Sequence, residues 1–421
     1  MKIRVAALSV LSAGLLLAGT SAAWSRSRET VIHSFNQGSG DGFSPQSDLI
    51  ADGAGNLYGT TLYGGTGSGS GFGTVFMLSP TNDLNTWNET VLYSFTGGLD
   101  GGGPVGGLAL GKKGVLYGTA STGGAGNGGT VFQLSPPKSG DNWQEKTLYS
   151  FCSLANCADG QEPLAGVTIG AGGVLYGTTL TGGVGAFQAN GGTVYQLTPP
   201  ADKGGNWTQT VIHNFCDEEN CQDGYEPQVG RLLLTNSGAI FGTASKSIQG
   251  GTLYSLTPNG GSFTFDVVHE FNLSNGDGGG PLSGVVADKN GVLYGTTSGR
   301  GENGCGTVYA MGGGYQTLYS FCKNADHSDG ALPYAGVIVK NSKHGTTLYG
   351  TTLSGGIYNA GVVYKLTGQS ETVLHSFCAE ANCPDGSGPR FGSLLLQGTL
   401  LCGTASTGGD NNFGVVYSQT K

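Results

Sequence analysis

The chain has 421 residues, with 28 acidic and 19 basic side chains and a formal net charge of −9. Such an acidic, charge-poor composition argues against nucleic acid and anionic membranes as partners. Glycine supplies 81 residues and proline 14, without the period of three that collagen requires, so tight turns explain the glycine better than disorder does.

Residues 1–23 read as a secretory signal. Lys2 and Arg4 form a basic start, and Val5 to Thr20 is a 16-residue apolar run without charge. Ser21-Ala22-Ala23 supplies the small residues expected before cleavage. The run is shorter than the roughly 18–20 residues that span a bilayer, and no second such stretch follows. No membrane span is expected, and cleavage after Ala23 removes two positive charges, taking −9 to −11. A secreted protein, extracellular or periplasmic, is the expectation.

From residue 29 onward one phrase recurs seven times. A hydrophobic run ends at Phe35, Phe95, Phe151, Phe215, Phe271, Phe321 and Phe377. An Asp-Gly follows each, at Asp41, Asp100, Asp159, Asp223, Asp277, Asp329 and Asp385. Next comes a Leu-Tyr-Gly-Thr-like element, starting at Leu57, Leu116, Leu175, Ile240, Leu293, Leu348 and, with one extra leading Leu, Leu400. A Gly-Thr-Val-aromatic-like element closes the copy, starting at Gly73, Gly129, Gly192, Gly251, Gly306, Gly361 and Gly414. These pieces are short, rich in β-branched and aromatic residues, and bounded by turn formers. No helical period interrupts them. Four strands per copy, seven times, predict an all-β, seven-bladed β-propeller over residues 29–418, with four antiparallel strands per blade.

One copy shows the strand phase. Val285 to Ala287, Val292 to Thr297, Thr307 to Met311 and Gln316 to Phe321 form a meander, and the Asp-Gly-Pro segment crosses to the next blade. The chain therefore starts on a fourth strand and ends on a third. The ring is predicted to close with residues 29–35 as the outermost strand of the last blade, which hides an open edge.

The repeated Leu-Tyr-Gly-Thr and Gly-Thr-Val-aromatic phrases resemble the bacterial GloVer tandem repeat of exported choice-of-anchor proteins. The resemblance covers about residues 29–418. It implies an exported, propeller-like protein and no particular activity. No sorting tail lies between the last strand and Lys421, a departure from the anchored pattern.

Nine cysteines are present. Cys152 and Cys157, Cys216 and Cys221, and Cys378 and Cys383 share one spacing and one place in the repeat, so three local disulfides are expected rather than a thiolate metal site. Cys305 and Cys322 lie equidistant from the centre of one hairpin, which predicts a cross-strand disulfide. Cys402 replaces the usual Tyr and is left as a buried free thiol.

Catalytic signatures are lacking. His33, His213, His269 and His375 share a register with Tyr93, Tyr149 and Tyr319, which reads as structural. His327 and His344 lie off the register, without a partner in a recognisable spacing. The seven Asp-Gly aspartates could form a carboxylate ring, but sevenfold recurrence favours turns in which each carboxylate accepts backbone N–H bonds. Glu162, Asp217, Glu218, Glu219 and Glu226 are loop acids with nothing to show that they converge. No metal or cofactor is expected.

The loops after the second and fourth strands of each blade share one face. That long-loop face carries the residues that break the pattern: Tyr63, Phe187, Tyr225, Arg300, Tyr334, Tyr358 and Arg390. Aromatic and arginine side chains there are candidate ligand contacts, with local loop packing as the plain alternative. The leading expectation is a monomeric, non-catalytic binding or scaffold propeller that recognises polysaccharide or a surface protein through this face. The alternative is an exported carbohydrate-active lyase or hydrolase with its site in the axial funnel.

Overall fold

A computed structural model describes residues 29–421, apart from 39, 68, 84–85, 141, 188–189, 203, 274–275 and 344. The expected signal segment, residues 1–23, lies outside the described residues. Seven antiparallel sheets follow one another around an axis. Each runs from a short inner strand to a long outer one, as in Val286–Ala287, Leu293–Thr297, Thr307–Met311 and Tyr315–Ser320 of blade 5. The first blade differs by a fifth strand, Gly42–Pro45, which pairs with an extended second strand, Leu57–Gly64.

The ring closes as expected. Glu29–Ser34 pairs antiparallel with Val415–Thr420, so the last blade takes its outermost strand from the start of the ring.

The repeated phrases have direct physical readings. The aromatic of Gly-Thr-Val-aromatic (Phe76, Phe132, Tyr195, Tyr254, Tyr309, Tyr364 and Tyr417) is fully buried in every copy. The Gly of Leu-Tyr-Gly-Thr lies beneath that ring. A Cβ on Gly295 would fall 2.4 Å from the Tyr309 hydroxyl, and one on Gly59 would fall 2.6 Å from Phe76 Cζ. The following Thr reaches across to the next blade: Thr119 donates to the Ala165 carbonyl (3.0 Å), Thr243 to Ser283 (2.8 Å) and Thr296 to Ala335 (2.9 Å).

The core is therefore divided into seven apolar layers, one at each blade-to-blade interface. The Phe that ends each outer strand packs edge-to-face on the buried aromatic of the next blade. Examples are Phe35 on Phe76 (5.2 Å), Phe151 on Tyr195 (5.0 Å) and Phe377 on Tyr417 (5.0 Å). Such a pair contributes about 0.5–1.5 kcal/mol beyond the area it buries.

Four disulfides join the expected partners: Cys152–Cys157, Cys216–Cys221, Cys305–Cys322 and Cys378–Cys383. Cys402 is free and buried. In the three tight loops the Asn before the second cysteine is left-handed (φ 57°, 56° and 68° at Asn156, Asn220 and Asn382). Asn is among the few residues that tolerate this conformation, which explains its recurrence there. No helix among the described residues is long and apolar enough to cross a membrane.

Candidate functional site

Three places gather polar side chains: the interblade clefts, the axis and the long-loop face.

The clefts are built by a bulge. Every outer strand shifts register one residue before its His or Tyr, as between Val31 and His33 or between Thr317 and Tyr319. The bulge turns that side chain towards the Asp of the Asp-Gly loop. Tyr149 then donates to Asp159 (2.7 Å) and Tyr319 to Asp329 (2.9 Å), while His213 lies 3.1 Å from Asp223 and His375 3.0 Å from Asp385. The same carboxylates accept backbone N–H bonds from the residues after the Phe, among them Ser153, Asp217 and Lys323. The following Gly has a positive φ in six copies, such as 94° at Gly160. These aspartates thus hold the crossing loops, as the turn reading expects.

A sixth side chain along, counted back from the Phe of the next outer strand, closes each cleft. It is Glu89, Glu145, Gln209, Phe265, Tyr315, Glu371 or Glu29. Burial beside an Asp pushes Glu29 up to about 8 and Glu145 and Glu371 up to about 7. A depression of about 860 Å³ lies on the outside of blades 6 and 7, where Glu29, His375, Glu380, Asp385 and Asp410 line it. A raised Glu beside an ionised Asp is an arrangement that glycosidases use. Here it recurs in several equivalent clefts, and Asp385 is tied to His375 and the Cys378 N–H, so it belongs to the architecture.

The axis is not an open funnel. The residue before the inner strand's leading Leu or Val is Gly107, Gly166, Gly284 and Gly336 in four blades and Ser393 in a fifth. Glycine permits backbones to touch there: a Cβ on Gly166 would lie 2.1 Å from the Gly107 carbonyl oxygen. The two departures are Asp48 and Arg231. Arg231 reaches across the axis, Nη1 donating to the Val167 carbonyl (2.9 Å) and Nη2 to Leu108 (3.0 Å). Its Nε lies 3.9 Å from Asp48 Oδ2. Asp48 also accepts the Ser393 N–H (2.6 Å). One cation therefore ties blades 2, 3 and 4 to blade 1, and through Asp48 to blade 7. Burial pushes the Asp48 carboxyl above its usual range, opposed by Arg231.

Beside this pair lies an axial cavity of about 390 Å³, lined by Asp48, Arg231, Ser283, Ser393, Phe391 and inner-strand aliphatics. It holds a single acid, whose partners are already in place. The paired carboxylates of a hydrolase are not assembled there.

On the long-loop face the seven residues singled out from sequence separate into groups. Tyr334 and Arg390 come together around Phe391: the rings of Tyr334 and Phe391 are nearly parallel (14°, centroids 6.0 Å apart), and the Arg390 guanidinium lies 4.9 Å from the Phe391 centroid. Tyr225 and Arg300 share a shallow depression with Lys246 and Leu273, and Lys246 pairs with Glu226 (2.7 Å). Tyr63 packs on Phe43 (5.3 Å). Phe187 and Tyr358 are exposed. Of the loop acids, Asp217 accepts the Ala186 N–H (3.1 Å).

Sequence reasoning passed over a second population on this face. Of the twelve exposed large hydrophobic residues among the described residues, nine lie in these loops, and seven of the nine were not singled out, including Leu99 (74% exposed), Ile357 (73%), Ile248 and Leu154. Each was visible as an apolar residue in a polar loop, a signal outweighed by attention to aromatics and arginines.

Fold and sites together define a disulfide-bonded seven-bladed propeller, closed by an exchanged strand. The chain belongs to the Gloeobacter/Verrucomicrobia repeat family, whose model matches residues 17–187 and 184–417. No curated protein matches it.

Several solved structures are similar over 93% of the chain. One is a protein of unknown function from Dyadobacter fermentans (11% identity, 96% of that chain, TM-score 0.43). Another is a Penicillium chrysogenum α-L-arabinanase complexed with arabinobiose (13%, 97%, 0.44). A third is a Trypanosoma rangeli sialidase in complex with sialic acid (10%, TM-score 0.37), of which the chain spans 55%. None of these likenesses bears on activity.

Proposed function

We propose that this is an exported, non-catalytic binding propeller whose long-loop face docks a protein partner. The observation that carries the reading is the set of exposed apolar side chains in the loops of that face, nine of twelve among the described residues, together with the Tyr334–Phe391–Arg390 group. Exposed aliphatic side chains gathered on one face favour a protein surface over a polysaccharide, which prefers flat aromatics with convergent polar groups. Tyr, Phe and Arg are among the residue types that anchor such interfaces. Export is supported by four disulfides, which persist in oxidising compartments.

The test is site-specific photo-crosslinking in the source cell. A crosslinker at Leu99 or Ile357 is expected to capture one protein, and one at Lys113, on the opposite face, to capture none. Leu99→Asp with Ile357→Asp should abolish the crosslink from a probe at Ile248 without lowering Tm. Retention on a polysaccharide column that is lost in Tyr334→Ala would move the reading to sugar binding. Release of oligosaccharide products would overturn the non-catalytic reading.

A further inference from the structure

The seven interblade clefts are built alike, and one of them is unfinished. In six clefts the His or Tyr lies 2.7 to 3.1 Å from its Asp. The exception lies where the ring closes. His33, on the closing strand, stands 3.6 Å from Asp41. Its Nε2 is sealed from solvent without a hydrogen-bond partner, and so is Oε1 of Glu89, which enters from blade 1. Ligand atoms of His33, Asp41 and Glu89 all lie within 4.8 Å of one another.

In three other clefts the closing position makes a finished contact, while Glu29 and Glu371, like Glu89, keep an unsatisfied Oε1. Gln209 donates to the Asp159 carbonyl (3.1 Å), Phe265 stacks on His213 (3.7 Å), and Tyr315 stacks on His269 (4.1 Å) while donating to the Asp277 carbonyl (2.5 Å). Glu145 and Glu371 face tyrosines, which are poor ligands. Glu29 faces a histidine already bonded to Asp385. The Glu29 cleft also holds an imidazole, two carboxylates and an unsatisfied Glu29 Oε1, but among the described residues the closure cleft alone leaves the imidazole nitrogen itself buried and unbonded.

We propose that His33, Asp41 and Glu89 bind one divalent transition-metal cation of the zinc class, which clamps the closing strand to the first blade. One imidazole with two carboxylates suits Zn²⁺ and its first-row neighbours; Ca²⁺ and Mg²⁺ favour all-oxygen shells. Three protein ligands leave further coordination positions for water. The cation would neutralise the two carboxylates and satisfy both sealed atoms. Asp41 is held ready by N–H bonds from Asn36 (3.0 Å) and Gly42 (2.6 Å), and the His33 ring is set edge-on against Phe35 (4.6 Å). Because His33 belongs to blade 7 and Glu89 to blade 1, the ion would bridge the seam of the ring.

The test uses full-length, tag-free protein stripped with chelator under non-reducing conditions and titrated with ZnCl2 and CoCl2 by calorimetry. One equivalent of each is expected, with a rise in Tm on binding. Glu89→Gln should weaken binding more than about tenfold. That variant is expected to fold, since Gln209 occupies the same repeat position. His33→Ala should act likewise, whereas Glu371→Gln, in a tyrosine cleft, should bind as wild type does. Amide exchange within residues 30–34 should slow on Zn²⁺ addition in the wild type alone. Absence of binding by either ion, or binding retained in both Glu89→Gln and His33→Ala, would overturn the site.

Discussion

Arg231 and Asp48 meet across the propeller axis, and the guanidinium donates to the carbonyls that lead into the inner strands of two other blades. Their side chains keep 27% and 30% exposure, onto the axial cavity, so the pair is neither dry nor free. Its weight lies in joining inner strands only two or three residues long, which hold few ladder bonds of their own.

Arg231→Ala is therefore expected to destabilise the protein by roughly 2–3 kcal/mol, mostly by stranding Asp48 and two carbonyls. Replacing both residues with the glycine found in four other blades should cost less than Arg231→Ala alone. Denaturant titration of the single and double variants checks this.

Five buried tyrosines (Tyr195, Tyr254, Tyr309, Tyr364 and Tyr417) have hydroxyls without a partner, where two other copies carry Phe76 and Phe132. An unmet buried hydroxyl costs about 1–3 kcal/mol. Tyr309→Phe should thus be neutral or stabilise by about 1 kcal/mol, measured as a rise in Tm. Gly295→Ala, beneath the same ring, should destabilise by about 1–3 kcal/mol through overpacking.

Glu29, held up to about 8, and Glu145 and Glu371, held up to about 7, keep protons when folded that they lose when unfolded. With folded values above the ordinary 4.5, their stabilising contribution is complete below pH 4.5 and disappears as pH rises through 7 to 8. Tm in chelator should fall between pH 5 and pH 8.5. Glu371→Gln should recover about 1 kcal/mol at the alkaline end, a figure reduced for partial solvent screening.

Denatured, unreduced protein should yield one free thiol. The native protein should yield none within minutes, because burial pushes the Cys402 thiol up to about 12 and keeps reagent out. Three thiols after denaturation would mean one disulfide is missing.

The propeller, its strand phase, its closure and all four disulfides were legible because each is written in register. Repetition converts weak local signals, such as Thr307 to Met311, into a sevenfold one. The outer-strand bulge was not legible: Val31-Ile32-His33 reads as an unbroken strand, and nothing in residue type marks the slipped pair. The axial pair did leave a trace, since Asp48 and Arg231 stand where other copies carry glycine. That trace lay in inner strands too short to show alternation, so attention went to the loops. Glu89 was invisible as a partner of His33 because the cleft joins residues from two different blades. Phe391 was likewise overlooked beside Tyr334 and Arg390, though its ring organises both.

The closing strand also has a consequence for how the chain is made. Glu29 is paired with Gln419, 390 residues further on. Bringing such distant segments together carries a large loop-closure entropy and comes late. The first strand to be synthesised is thus the last to find its place, and until Val415–Thr420 arrives it presents a bare edge. A chain cut short anywhere before Val415 keeps that edge open, so the closing pair reports whether synthesis has passed the last blade.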